Sequence, residues 1–265
     1  MNDENFRWLV PVLLVFAVAL AAWYFLARVE PPLPAETPTP AAGGEPVETM
    51  GPRYPLPPEM PEREGRPELT PLPPLDESDS YFKLELADLF GAGISVLLVE
   101  SGLIEKIVAT VDNLPRSHVA ERIRPLSGLP GPFAVDGQDG SGQFTLKPEN
   151  YSRYGDLVGR LDNADVDALV SVYRRYYPLF QDAYVGLGYP EGYFNDRVVE
   201  VIDHLLDTPE VTAPIELVRP HVLYQYADPE LEAQSSGRKL LLRMGPENAS
   251  RVKDTLREIR ERIVD

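Results

Sequence analysis

DVDALVSVYRRYYPLFQDAYVGLGYPEGYFNDRVVEVIDHLLD, residues 165–207, carries two apolar stripes of helical period separated by a loop rich in glycine and proline. The first stripe includes Leu169, Val172, Tyr176, Phe180 and Ala183, so the spacing predicts one long helix from Asp165 to Leu187, kinked at Pro178. GLGYPEG breaks it. Asn195 or Asp196 is expected to cap a second helix, whose buried face is Val198, Val201, Ile202, Leu205 and Leu206. Two consecutive amphipathic helices make the centre of a mainly α domain.

Outward from this pair, LPPLDESD (72–79) reads as the end of a linker and a helix cap, followed by apolar-periodic segments near 80–90, 93–100 and 102–113. A short helix is expected near Ser117–Ile123. FAVDGQDGSGQFTL (133–146) alternates around a glycine and aspartate turn, which predicts a hairpin. Pro148 suits the first turn of a helix reaching about Leu161. IELV (215–218) and HVLYQYA (221–227) read as short extended runs divided by Pro220. Two closing helices, about 230–243 and 247–263, meet at Met244, Gly245 and Pro246, and the last has a narrow seam of Val252, Leu256, Ile259 and Ile263. The fold class is therefore a multi-helix globular domain with a small β-hairpin or short strands, over residues 75–265.

Two segments precede that domain. WLVPVLLVFAVALAAWYFL, residues 8–26, is free of charge and as a helix spans about 30 Å, the thickness of a bilayer core. Arg7 and Arg28 flank it, and Trp8, Trp23 and Tyr24 sit at its ends. Residues 8–28 are thus expected to form one transmembrane anchor. A cleavable signal peptide is the alternative, but MNDENFR lacks a basic lead and the apolar run continues past the small residues Ala19 and Ala21. Residues 1–7 would be a cytoplasmic tail. Residues 29–74 hold fifteen of the twenty-eight prolines and few large apolar side chains, the composition of a disordered, extended spacer.

Five sequence blocks carry a resemblance: LPPLDESD, VATVDNLPR (108–116), YRRYYPLFQDAY (173–184), LGYPEGYFNDRVVEVIDHLL (187–206) and YADPELEAQSSGRKLLLRMGPENA (226–249). Over about 72–260 the chain resembles the bacterial domain of unknown function 3014 family. The resemblance implies a membrane-anchored bacterial setting and brings no catalytic residues with it.

Composition narrows the chemistry. No cysteine in 265 residues excludes disulfides, thiolate catalysis and cysteine metal sites. A net charge of −17 opposes general nucleic-acid binding, which draws on cations that neutralise phosphate. His118, His204 and His221 are scattered, without an HExxH pair, and there is no P-loop, dinucleotide fingerprint or G-x-S-x-G. No cofactor and no metal is expected.

Two clusters remain as site candidates. Tyrosine offers area with a hydrogen-bonding tip and arginine a planar fork, so Arg174, Arg175, Tyr177, Tyr189, Tyr193, Asn195 and Arg197 are the candidate binding residues. Arg174 and Arg175 fall off the apolar stripe and are the leading contacts. At about 100° per residue, Asp196, Glu200, Asp203 and Asp207 lie within about 60° of one another, an acidic stripe suited to ion pairing.

The expected role is a membrane-tethered periplasmic binding or scaffolding module of the bacterial inner membrane. Its partners would be the membrane, through residues 8–26, and another envelope protein or cell-wall polymer, with no nucleic acid. The reading leans away from an enzyme. The alternative is a cell-envelope hydrolase, acting on peptidoglycan or polysaccharide through paired carboxylates about 5 to 9 Å apart.

Overall fold

The computed structural model describes residues 51–56, 71–128, 132–137, 142–211 and 214–264. The chain divides into two compact units, Met1–Glu48 and Thr49–Asp265. The first, with the apolar run 8–26, lies outside the described residues. Among the described residues no helix is long and apolar enough to cross a membrane.

Eight α-helices are described: α1 Asp79–Phe90, α2 Leu103–Asn113, α3 Glu149–Asp162, α4 Val166–Gly186, α5 Phe194–Leu206, α6 Pro229–Glu232, α7 Ser236–Met244 and α8 Pro246–Val264. The strands β1 Val135–Asp136, β2 Gln143–Leu146, β3 Glu216–Val218 and β4 Gln225–Tyr226 form one antiparallel sheet in that order. The domain is therefore mainly helical, as expected. The hairpin and the two later extended runs join in a single sheet, with Phe144 opposite Leu217 and Leu217 opposite Tyr226.

The long helix starts where its sequence says. Asp165 accepts hydrogen bonds from the Asp167 and Ala168 amides, and α4 runs on through Pro178. Its buried side chains are Val170, Tyr176, Leu179, Phe180, Ala183 and Tyr184, a wider face than the predicted stripe because helices pack on more than one side of it. The second helix departs from expectation at its head. Neither Asn195 nor Asp196 is the cap residue; that position is Tyr193, without a side-chain cap bond. Gln181 of α4 takes over the role, its Oε1 accepting the Phe194 amide at 2.9 Å while its Nε2 donates to the Gly192 carbonyl. Phe194 and Asn195 are buried instead.

Other boundaries shift for local reasons. The segment near 93–100 forms only a 3-10 turn, Ala92–Val96, because Gly91 turns the chain at φ +82° and α2 begins after a second left-handed glycine, Gly102. The helix expected near Ser117–Ile123 shrinks to a 3-10 turn at Glu121–Ile123. The first closing helix splits in two, since Ser235 caps a new start by accepting the Arg238 amide. Helices also cap one another: the Asp79 carboxylate of α1 accepts the Gly102 and Leu103 amides at 2.8 Å each, fixing the start of α2.

Apolar burial gathers into four clusters. One fills the space among α1, α2, α4 and the head of α5, with Phe82, Ile104, Tyr176 and Phe194. The sheet buries Phe144, Leu146 and Leu217 against Leu242 of α7. A third joins α3, α5 and α7 through Val158, Val201, Leu205 and Leu241, and the fourth joins α4, α5 and α8 through Val170, Val199, Ile202 and Ile263.

The start of α7 is pressed tightly against its neighbours. Its Ser236 and Gly237 amides donate to the Arg116 and Leu114 carbonyls at 2.7 and 2.9 Å, pairing donors that a helix start leaves free. A Cβ on Gly237 would lie 2.5 Å from Leu205 Cδ2 and 3.2 Å from the Leu114 carbonyl oxygen. Gly237→Ala should therefore lower the urea midpoint, at a cost of about 1–3 kcal/mol from overpacking. An unchanged midpoint would show that this junction is slack.

Candidate functional site

Most of the residues singled out in the sequence lie around the head of α5, with Asp203 and Asp207 at its far end, and most of their polar atoms are taken up inside the domain. Arg174 donates from Nη2 to the Arg262 carbonyl at 2.6 Å, tying α4 to the last turn of α8, where a cation also suits the helix dipole. Its Nε is buried without a hydrogen-bond partner among the described residues. Arg175 pairs with Glu85 of α1 at 2.8 Å, both side chains being about a quarter exposed. The two leading contacts thus bridge helices, and neither reaches the acidic stripe.

The tyrosines belong to a continuous aromatic stack. Tyr189 lies on Tyr184 with ring centroids 4.7 Å apart, Tyr184 meets Phe194 at 5.6 Å, and Phe194 stacks on Phe180 at 5.7 Å. The Tyr177 hydroxyl donates to Gln181 Oε1. Burial raises the Tyr177 hydroxyl above its ordinary value, and raises that of Tyr173 well above it. Tyr193 is half-buried at the cap position.

Asp112, at the end of α2, is not among the residues singled out in the sequence. Its side chain is 5% exposed and faces two arginines. Arg197 donates from Nε to Asp112 Oδ1 at 3.0 Å and from Nη2 to the Asp112 carbonyl at 2.8 Å. Arg116 and the Tyr189 hydroxyl both reach Oδ2. A carboxylate this deep is stable only because its oxygens are paired.

The acidic stripe does not converge. Asp203 takes a two-pronged contact from Arg260, Glu200 lies near Arg197 and Arg53, and Asp207 stands 3.9 Å from Arg238. Asp196 accepts two consecutive backbone amides, Arg53 at 2.9 Å and Tyr54 at 2.8 Å. Asn195 donates from Nδ2 to the Tyr54 carbonyl at 2.9 Å and to the Ile263 carbonyl at 3.1 Å, and accepts the Tyr173 hydroxyl. Residues 51–56, read above as spacer, therefore lie against the domain. Tyr54 and Leu56 supply apolar surface in a stretch whose composition is otherwise too polar to fold, and they pack on the Val170, Val199, Ile202 and Ile263 cluster.

Two concavities and one exposed tip complete the surface. A cleft of about 440 Å³ between α1 and α3, lined by Leu89, Phe90, Gly155 and Arg160, has one carboxylate, Asp156. A much smaller one beside the sheet is lined by Phe133, Tyr224, Tyr226 and Arg243 and has none. Val222 and Leu223, 86% and 75% exposed, project from the turn between β3 and β4, where the predicted strand over 221–227 survives only as Gln225–Tyr226. Arg219 covers the Phe144 and Tyr224 rings at the base of that turn. Among the described residues no three histidine, aspartate or glutamate side chains gather as a metal site.

A sequence profile of the family described as Protein of unknown function (DUF3014) matches residues 103–260, more than half of the chain, and the chain belongs to that family. No curated protein and no solved structure matches it.

Two outcomes follow from the buried groups. Arg197→Met should cost about 3 kcal/mol in urea unfolding, because it leaves the buried Asp112 Oδ1 unpaired, with Arg116 and the Tyr189 hydroxyl only on Oδ2. Adding Asp112→Asn should recover part of that loss, and additive losses would mean the pair is not coupled. His204 gives a pH effect. Its Nε2 lies 2.8 Å from Ser235 Oγ, which also accepts the Arg238 amide. Burial first, and the Arg238 charge second, hold His204 below its ordinary value of 6.5. The unfolded chain then protonates His204 first, so its contribution to stability is complete above about pH 6.5 and declines as pH falls below that. His204→Gln should flatten the fall in unfolding free energy between about pH 7 and 5, and an identical slope would remove His204 as the cause.

Proposed function

We propose that this member of the DUF3014 family is a binding or scaffolding module of the bacterial cell envelope. Residues 8–26 would anchor it in the inner membrane with the amino-terminal side cytoplasmic and the folded domain periplasmic. The observation that carries the binding role is the groove of α4, α5 and α8, which takes up a short, proline-containing segment through Asn195, Asp196 and a patch of aliphatic side chains. A surface that reads backbone amides and buries alternate side chains is built for peptide contact. The exposed Val222 and Leu223 tip adds a second apolar contact point. The candidate carboxylates are each engaged by a different partner within the fold, which favours binding over hydrolysis.

Cross-linking the full chain in its native membrane, followed by identification of the cross-linked species, tests the module. One recurrent envelope protein or cell-wall fragment is expected, lost on Val222→Ser with Leu223→Ser if the tip takes part; no recurrent species would overturn the reading. Alkaline phosphatase fused after Asp265 should be active, whereas activity of a cytoplasmic reporter at the same place would reverse the orientation.

A further inference from the structure

Gly51–Leu56 (GPRYPL) alternates along its length: Pro52, Tyr54 and Leu56 are half-buried, while Gly51, Arg53 and Pro55 are exposed. One side of the segment is thus seated, and the chain bends at Arg53 and Tyr54, which brings their two consecutive amides to the same side. Its backbone is read from the domain side by three hydrogen bonds, two into the single Asp196 carboxylate and one from the Asn195 amide. Asp196 stands in the first turn of α5, where the helix dipole favours a carboxylate. Side-chain reading falls to Tyr54 and Leu56, on a floor of Val170, Val199, Ile202 and Ile263. Arg53 points outward, its side chain 68% exposed and 3.8 Å from Glu200, which adds little.

We propose that the α4–α5–α8 groove is a recognition site for short bent segments of the type Pro-x-Tyr-Pro-aliphatic, and that residues 52–56 are its resident ligand. A partner segment of that chemistry, supplied in trans, exchanges with them. The inference deepens the binding-module reading and rests on it. The physical ground is that site and ligand are separable. The floor comes from three helices that also pack on one another, and the segment contributes six residues from well before the first helix. Contacts this few place the intrinsic dissociation constant on the order of 10 to 100 µM. A segment on the same chain is present at an effective concentration on the order of millimolar. The groove is therefore filled in cis at rest, and a trans segment competes when it is multivalent or locally concentrated.

The test uses the full chain and a fluorescein-labelled synthetic peptide, GPRYPL. Tyr54→Ala with Leu56→Ala empties the groove without touching its floor. The labelled peptide should bind this variant at least about tenfold more tightly than the unaltered chain, because the cis competitor is gone. Asp196→Ala in the emptied variant should abolish that gain, and a peptide with alanine for tyrosine should not bind. Equal binding to the emptied and unaltered chains, with the variant's thermal transition intact, would overturn the proposal. If the double variant fails to fold, Arg53→Pro replaces it; this removes one amide donor to Asp196 and leaves both apolar contacts. It too must bind the peptide more tightly than the unaltered chain, and equal binding there overturns the proposal as well. Peptide titration judges the groove, while membrane cross-linking judges the module, so a failure of either is told apart from a failure of the other.

Discussion

The burial of α5 on several sides is the constraint on which the rest of the structure depends. Phe194 enters the aromatic cluster, Val201 and Leu205 face α3 and α7, and Val199 and Ile202 face α4 and α8. A helix whose apolar face covers nearly half of its girth needs more than one neighbour to bury it, and the covering helices are thereby placed. Enclosure raises a second demand, because each polar atom carried into the interior needs a partner. Asn195 meets it by joining three separate stretches of chain, the Tyr173 hydroxyl of α4 and the carbonyls of Tyr54 and Ile263. Gln181 and Asp112 do the same for the Phe194 amide and the Arg197 guanidinium.

Periodicity made the long elements legible. The helices α1, α2, α3, α4, α5 and α8 fall within a few residues of their sequence positions, because each runs for at least three turns and all but the weakly amphipathic α1 show a strong amphipathic repeat. The misses are short, and each has a local cause. Glycines at positive φ cut the run near 93–100, and Ser235 cut the helix expected at 230–243. The apolar texture of His221–Leu223 looked like strand, yet these residues form an exposed turn. Alternation cannot tell a buried face from a projecting one when the run is three residues long. Val199 was absent from the expected face, since a single stripe was assumed where the helix has more than one.

The candidate site was legible in place and not in partners. The head of α5 does concentrate the tyrosines, arginines and acids that the sequence brought forward. What each one touches depends on residues tens of positions away: Glu85 for Arg175, Asp112 for Arg197, Arg260 for Asp203 and the amides of residues 53 and 54 for Asp196. No spacing rule reports such contacts. Gln181 and Asp112 carried no signal of their own, being ordinary polar positions on helical faces. The segment 51–56 was hidden for a different reason. Averaged over residues 29–74, proline and glutamate outweigh one tyrosine and one leucine, although those two side chains and three backbone bonds are enough to seat a hexapeptide.

Seating that hexapeptide changes what a spacer can do. If residues 8–26 hold the membrane, the chain between the membrane and the domain ends at residue 50 while the groove is filled, and extends to about residue 70, just before Leu72 meets the core, when it is empty. At about 3.1 Å per residue for proline-rich chain, the maximum reach goes from about 75 Å to about 135 Å. Exchange at the groove therefore couples ligand capture to reach. A segment captured near the membrane would release the domain outward, and a segment captured at the outer limit could not be held once the cis segment returned. The coupling needs no rearrangement of the helical body, because all of the motion falls on chain that contributes only Tyr54 and Leu56 to the core. On the proposed reading, a groove filled by its own tether would be a recognition surface whose occupancy sets where that surface can act.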